Sequence, residues 1–189
     1  MMEYRQLGDS GLKVPVLAFG TAKESRATAE LRSEAGSLFE RALAIDATLV
    51  EARLRLARLA IDRGDDAKAE KELSAVKQAS TIPAHQYLAT LWLGQIRERQ
   101  KPWTAGAELY VEAIKAQPDA ESAYVALSEV LKANGEPAQS AGVMDRFRAR
   151  GVKSPIADPA ATYPLGLDTL LEARFDAIIA EVKAMKDAK

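Results

Sequence analysis

The chain lacks cysteine altogether, and His85 is the single histidine among its 189 residues. Without cysteine there is no disulfide framework, no thiolate metal site and no cysteine nucleophile. One histidine leaves little room for a histidine-based metal centre. The composition therefore argues against several common kinds of catalytic and metal site.

An excess of charge and a long apolar run are missing as well. Lys and Arg total 26 against 27 for Asp and Glu, a formal net charge of -1, so no basic excess indicates nucleic acid. No apolar run approaches the ~20 residues of a membrane-spanning helix. The apolar stretch from Val14 to Ala22 is interrupted by Pro15, and Glu3 and Asp9 precede it. We read this as no secretory signal and expect a cytoplasmic protein.

Sequence motifs for catalysis are absent too. There is no Gly-rich phosphate loop, serine-nucleophile elbow or zinc motif. Asp62–Asp66 carries three acids around Gly64, but Arg63 and the missing downstream glutamate do not fit a calcium loop. We predict no catalytic, cofactor-binding or metal-binding residue, and a protein that is not an enzyme.

What the sequence does contain is a helical repeat, clearest from Tyr87 to Pro118. This segment predicts two helices joined by a turn at Lys101-Pro102. The pair Leu56-Ala57 recurs as Leu93-Gly94 and again as Leu127-Ser128. The first interval exceeds the second, and we assign this three-residue excess to a loop at Thr81–Ala84. A small residue at each helix crossing would let the backbones approach to ~8 Å.

This pattern resembles the tetratricopeptide repeat, a 34-residue helix-turn-helix unit that stacks into a solenoid. The resemblance implies an all-α, right-handed α-solenoid that binds other proteins. Residues 23–154 divide into a half-repeat (23–49) and three full repeats (50–83, 87–120 and 121–154).

The segment 1–22 has a different character and predicts a short β-hairpin or extended arm. Strand-forming residues flank a Gly8-Asp9-Ser10-Gly11 turn. The segment resembles the amino-terminal hairpin of the aldo-keto reductases, but the likeness ends at Ala22. None of that family's later motifs, which carry its catalytic residues, is present. Our first explanation of the segment is a gene rearrangement or a misplaced start. The alternative is a retained docking arm.

The end of the chain predicts a proline-containing linker (155–167) followed by a capping helix (168–187). Pro155, Pro159 and Pro164 exclude one regular helix. The apolar seam of the final helix suits packing on the last repeat. The same seam is compatible with a homodimer through a short coiled coil, which we consider second.

By resemblance, the first helix of each repeat lines a concave groove. Trp92 and Trp103 are each expected to serve packing before ligand stacking. The mixed apolar and basic lining suits a peptide or protein partner that is not highly acidic; the other interpretation is that these residues merely solvate a rigid spacer. The expected lining is Glu51, Leu54, Arg55, Arg58, Leu88, Leu91, Trp92, Gln95, Ser122, Val125 and Glu129.

These observations predict a non-catalytic interaction module, an adaptor or scaffold that binds a protein or peptide. The alternative is a fragment or accessory associated with an aldo-keto reductase, or a rearranged product with no activity of its own. Neither nucleic acid nor a cofactor is expected.

Overall fold

The computed structural model describes residues 4–6, 13–15, 26–100, 103–152 and 158–163. The chain forms two units, Met1–Ala35 and Gly36–Lys189. The predicted turn at Gly8–Gly11 and the predicted helix 168–187, with its capping and dimer roles, lie outside the described residues.

The first unit contains two short strands. Strand β1, Tyr4–Gln6, pairs antiparallel with β2, Lys13–Pro15, in a register that sets Arg5 opposite Val14. Helix α1, Arg26–Ile45, begins in this unit and continues into the second.

The second unit is a succession of paired helices. Its helices are α2 (Val50–Arg63), α3 (Asp66–Ala79), α4 (Pro83–Gln100), α5 (Trp103–Ala116), α6 (Glu121–Ala133), α7 (Pro137–Ala149) and α8 (Pro159–Thr162). Each helix from α2 to α6 packs against the next one along the chain. The second unit therefore has the helix-pair organisation that the sequence predicts.

The turns inside two of the pairs have the same geometry. Gly64 after α2 and Gly135 after α6 have φ values of 75° and 83°, in the left-handed region. The Gly64 N–H donates to Ile61 O at 3.1 Å and the next N–H donates to Ala60 O at 2.9 Å. This pair of bonds is a Schellman motif, which satisfies carbonyls at the end of a helix and favours glycine.

The predicted close crossings are present, and the tightest lies between α4 and α5. A Cβ built on Gly94 would lie 2.5 Å from Cε1 of Tyr110, and one on Gly106 would lie 3.1 Å from the Gly94 carbonyl oxygen. The equivalent crossing of α6 and α7 has serines, and the hydroxyl oxygens of Ser128 and Ser140 lie 2.8 Å apart, sharing a hydrogen bond. Small residues thus set the helix spacing in both pairs.

The three extra residues in the interval between the first two repeats do not form a loop at Thr81–Ala84 as predicted. Between α3 and α4 the chain is irregular only from Ser80 to Ile82, and α4 begins at Pro83, inside the predicted loop. Proline is favoured in the first helical turn because its missing N–H is not needed there. The extra residues therefore lengthen α4, which has 18 residues where α2 has 14.

Two acidic residues of α3 join this helix to its neighbours. Glu72 is buried and accepts a hydrogen bond from Arg53 at 2.6 Å, which links α3 to α2. Both carboxylate oxygens of Glu70 lie 3.0 Å from the Arg97 guanidinium of α4. Bidentate geometry of this kind is stronger than an ordinary exposed ion pair.

We expect Gly94→Ala to destabilise the chain by about 1–3 kcal/mol, although alanine favours helix. The ring of Tyr110 is fully buried and its hydroxyl donates to Glu98 at 2.6 Å, so it has little room to move. Gly142→Ala in α7 is the control, since among the described residues no atom outside its own stretch of helix lies within 4 Å of the added Cβ. Urea unfolding followed by circular dichroism should show a loss for the first variant and no loss for the second. Equal stability of Gly94→Ala and wild type would contradict the crossing.

Candidate functional site

Helices α2, α4 and α6, the first helices of the three pairs, carry the predicted groove residues. Gln95, Ser122, Val125 and Glu129 line a cavity of about 560 Å³ on this side of the unit. Asp158 and Ala161 line the same cavity. We call this surface, with Glu51, Arg55, Arg58 and Trp92 beside it, the groove.

Three predicted groove residues belong to the core instead. Leu54, Leu88 and Leu91 have exposed fractions of 0%, 3% and 1%. Helix α4 is packed by neighbours on several sides, so every residue from Tyr87 to Gly94 is buried. These leucines stabilise the stack and offer no surface to a ligand.

The main structural surprise is that part of the predicted linker lies on the groove. Residues Asp158–Tyr163, which we call the docked segment, begin with an N-cap and form the single turn α8. Asp158 Oδ1 accepts hydrogen bonds from the Tyr87 hydroxyl at 3.1 Å and from the Ala160 N–H at 2.8 Å. Asp158 Oδ2 accepts the Ser122 N–H at 2.6 Å.

The buried Asp158 carboxylate therefore caps two helices. Helix α6 begins after Ala120, whose side chain cannot cap it. The first N–H groups of a helix lack partners within the helix and carry partial positive charge. A carboxylate that reaches Ser122 from 36 residues along the chain supplies both an acceptor and an opposite charge.

The other end of the docked segment is held by an aromatic contact. The Arg55 guanidinium lies over the Tyr163 ring, 4.0 Å from its centroid. The ring meets Trp92 edge-on with centroids 5.2 Å apart, and its hydroxyl donates to Glu51 at 3.3 Å. The Arg58 guanidinium lies over the Trp92 ring, 5.9 Å from its centroid. Trp92 thus serves packing, but part of that packing is with the docked segment.

Arg55 takes part both in the contact with the Tyr163 ring and in an ion pair with Glu51. Its Nε donates to Glu51 at 2.8 Å, and its side chain is only 12% exposed. The buried Nη1 has no acceptor among the described residues. A buried donor without a partner costs about 1–3 kcal/mol.

The tyrosine hydroxyls of this region are held in their protonated form. Burial, and then the nearby Asp158 charge, raise the pKa of Tyr87 well above its ordinary value of 10.0. Burial, followed by the Glu51 charge, raises the pKa of Tyr163 in the same direction. Both phenols therefore act as hydrogen-bond donors at neutral pH and not as bases.

A local signal for the docked segment is present in the sequence. Asp158-Pro159 combines an N-capping residue with proline at the first helical position, a common helix start. Reading residues 155–167 only as a linker missed this turn. The contacts with Tyr87 and Arg55 have no local signal, because they join residues far apart in the chain.

The remaining candidate residues have structural partners. The Nδ1 atom of His85 lies 2.9 Å from the Ser80 hydroxyl at the start of α4. Asp62 pairs with Arg58 at 2.8 Å, and Asp65 caps α3 by accepting the Lys68 N–H. Within the described part of the chain, no group of three or more acidic or histidine side chains is placed to hold a metal ion. Nor is any described helix long and apolar enough to cross a membrane.

These pairs of antiparallel helices, stacked with small residues at their crossings, define a helical solenoid-like protein. Residues 30–90, roughly a third of the chain, match the profile of the family described as tetratricopeptide repeat. A solved structure titled "Crystal structure of MamA" shares the fold, with a TM-score of 0.55 at 17% identity. That match covers 88% of this chain and 99% of the other. No curated protein matches significantly.

The family match supports tetratricopeptide repeats within residues 30–90, and the solved structure supports the same fold for the second unit. The family match begins at residue 30 and so does not include the segment 1–22. The resemblance of that segment to aldo-keto reductases has no support from the comparisons.

The buried tyrosines predict a loss of stability at alkaline pH. Burial raises the pKa of Tyr87, Tyr110 and Tyr163 above 10.0, so above pH 10.0 the unfolded chain binds fewer protons than the folded one. The free energy of unfolding should therefore fall as the pH rises above 10.0. Tyrosinate absorbance should show three of the five tyrosines ionising only as the chain unfolds. The Tyr163→Phe variant should show two such tyrosines instead of three. Reversible ionisation of all five in the folded protein would contradict the burial.

Proposed function

We propose that the chain is a non-catalytic interaction module that binds a peptide or protein partner in the groove. The observation that carries the proposal is the docked segment. Six residues of polypeptide already lie on this surface, held by a backbone N–H, a hydroxyl, a guanidinium and an indole ring. A surface that holds its own chain by such groups has the chemistry to hold another.

The composition of the groove supports recognition in preference to catalysis. Trp92, Arg55 and Arg58 are of the residue types typical of binding hot spots, and Trp92 is 3% exposed while the Tyr163 ring of the docked segment packs against it. Gln95 and Val125 add amide and apolar surface on the adjoining helices. The tyrosine hydroxyls stay protonated and donate, so they are poor candidates for bases.

No observation supports the alternative of an accessory to an aldo-keto reductase. The balanced charge supports a protein or peptide partner over a nucleic acid. We retain a right-handed array and the repeat boundaries 50–83, 87–120 and 121–154 as part of the proposal.

A matched pair of valine substitutions tests the groove. Val125 lies in the groove cavity on α6, whereas Val111 is 40% exposed on α5 and lines a different cavity. Val125→Asp should abolish partner capture, because it places a charge on the apolar part of the site. Val111→Asp should leave capture intact. Affinity capture from the native host, quantified by mass spectrometry, provides the readout.

The capture experiment includes a check on folding. Both valine variants should melt within a few degrees of wild type, since ~1 kcal/mol shifts the midpoint by a few degrees in a chain of this size. A partner set that is identical for wild type, Val125→Asp and Val111→Asp would contradict the groove proposal.

Removal of the segment 1–22 tests its role in binding. If the groove does the binding, the truncated chain should fold and capture the same partners as the full chain. Capture that is lost on truncation but unaffected by Arg58→Glu would place the binding site in the removed segment instead. Melting curves of both proteins show whether the fold is retained.

A further inference from the structure

We infer that the groove recognises a peptide in which an acidic residue and a tyrosine, five positions apart, flank a single turn of helix. In the structure, Asp158–Tyr163 occupies this site in place of a partner peptide of the same chemistry. The inference rests on the proposed function and adds the kind of peptide that the groove selects.

The acidic end of the site is already built. The Tyr87 hydroxyl and the Ser122 N–H converge on one carboxylate, and the N-terminus of α6 adds partial positive charge. Asp158 is 4% exposed, so water cannot replace a missing carboxylate well. A buried donor pair of this kind rejects ligands that lack the acceptor.

The aromatic end selects a flat ring with a hydroxyl group. Arg55 covers one face of the ring, Trp92 meets it edge-on, and Glu51 accepts its hydroxyl. Phenylalanine would keep the stacking but lose the hydrogen bond to Glu51. An aliphatic residue would lose the attraction between the cation and the ring as well.

The spacing of the two ends follows from a single turn of helix. The four helical residues Pro159–Thr162 separate the two anchors, and at 1.5 Å per residue they span ~6 Å along the helix axis. Pro159 fixes the first turn, and Asp158 caps it through the Ala160 N–H. A peptide that starts with Asp-Pro therefore carries the required conformation in its own sequence.

The docked segment is suited to replacement. It covers the site with only six residues, and Arg55 Nη1 has no acceptor among the described residues. Because the segment belongs to the same chain, its effective concentration at the groove is on the order of millimolar. A partner peptide must overcome this competition, so the docked segment sets a threshold for binding.

The test uses the full chain and a fluorescently labelled hexapeptide with the sequence of residues 158–163, DPAATY. The receptor is compared as wild type and as the double variant Asp158→Ala/Tyr163→Ala, which removes both anchors of the docked segment and leaves the groove residues in place. Fluorescence anisotropy should show about tenfold or more tighter binding to the double variant, since intramolecular competition is removed.

Control peptides separate the two ends of the site. Replacing the aspartate by asparagine, or the tyrosine by alanine, should each weaken binding to the double variant by about tenfold or more. Equal affinity of the parent peptide for wild type and double variant would overturn the inference, as would no binding to either or equal binding of the control peptides.

The two proposals fail in different ways. If Val125→Asp abolishes partner capture but the hexapeptide does not bind, the groove is a binding site of another specificity. If the double variant does not fold, Tyr163→Ala alone is the receptor, because it retains the buried Asp158 cap on α6. The parent peptide should then bind that variant more tightly than wild type, and equal binding contradicts the inference.

Discussion

The close approach of α4 and α5 is the constraint on which the rest of the second unit depends. Two glycines face each other there, and the ring of Tyr110 fills the space beside Gly94. A Cβ at Gly94 would overlap a fully buried ring, so the absence of a side chain there sets how closely these helices approach. Helix α4 in turn packs against α3, α5 and α2, so an error in this spacing would spread to its neighbours.

The groove is a consequence of how this central helix divides its surface. One part of α4 enters the stack, which is why Leu88 and Leu91 are buried. Another part presents Tyr87 and Trp92 to the docked segment. The same helix therefore supplies both the stability of the array and the principal contacts of the site, so substitutions on α4 have to be assigned to one role or the other by a stability measurement.

The features that the sequence alone predicts are those carried by local patterns. The small residues at Gly94 and Ser128 recur at the repeat spacing, and Gly64 and Gly135 mark turns that need a left-handed backbone. The burial of Leu54 and the ion pair of Glu72 depend on which neighbours surround a helix, and a helical period does not reveal that. The docking of residues 158–163 could not be predicted for the same reason. The sequence shows a capped turn, but the residues that Asp158 contacts, Ser122 and Tyr87, lie 36 and 71 positions away along the chain.

The double cap by Asp158 has a consequence for how the array comes apart. In a solenoid, each unit is stabilised by its own packing and by the interface with its nearest neighbours. The docked segment contacts α2 through Tyr163, α4 through both of its ends and α6 through Asp158. Opening any one of these three helix pairs breaks contacts of the same six residues. The segment thus adds a direct coupling between α2 and α6, which belong to pairs that are not neighbours, and this coupling is lost when the segment leaves the groove.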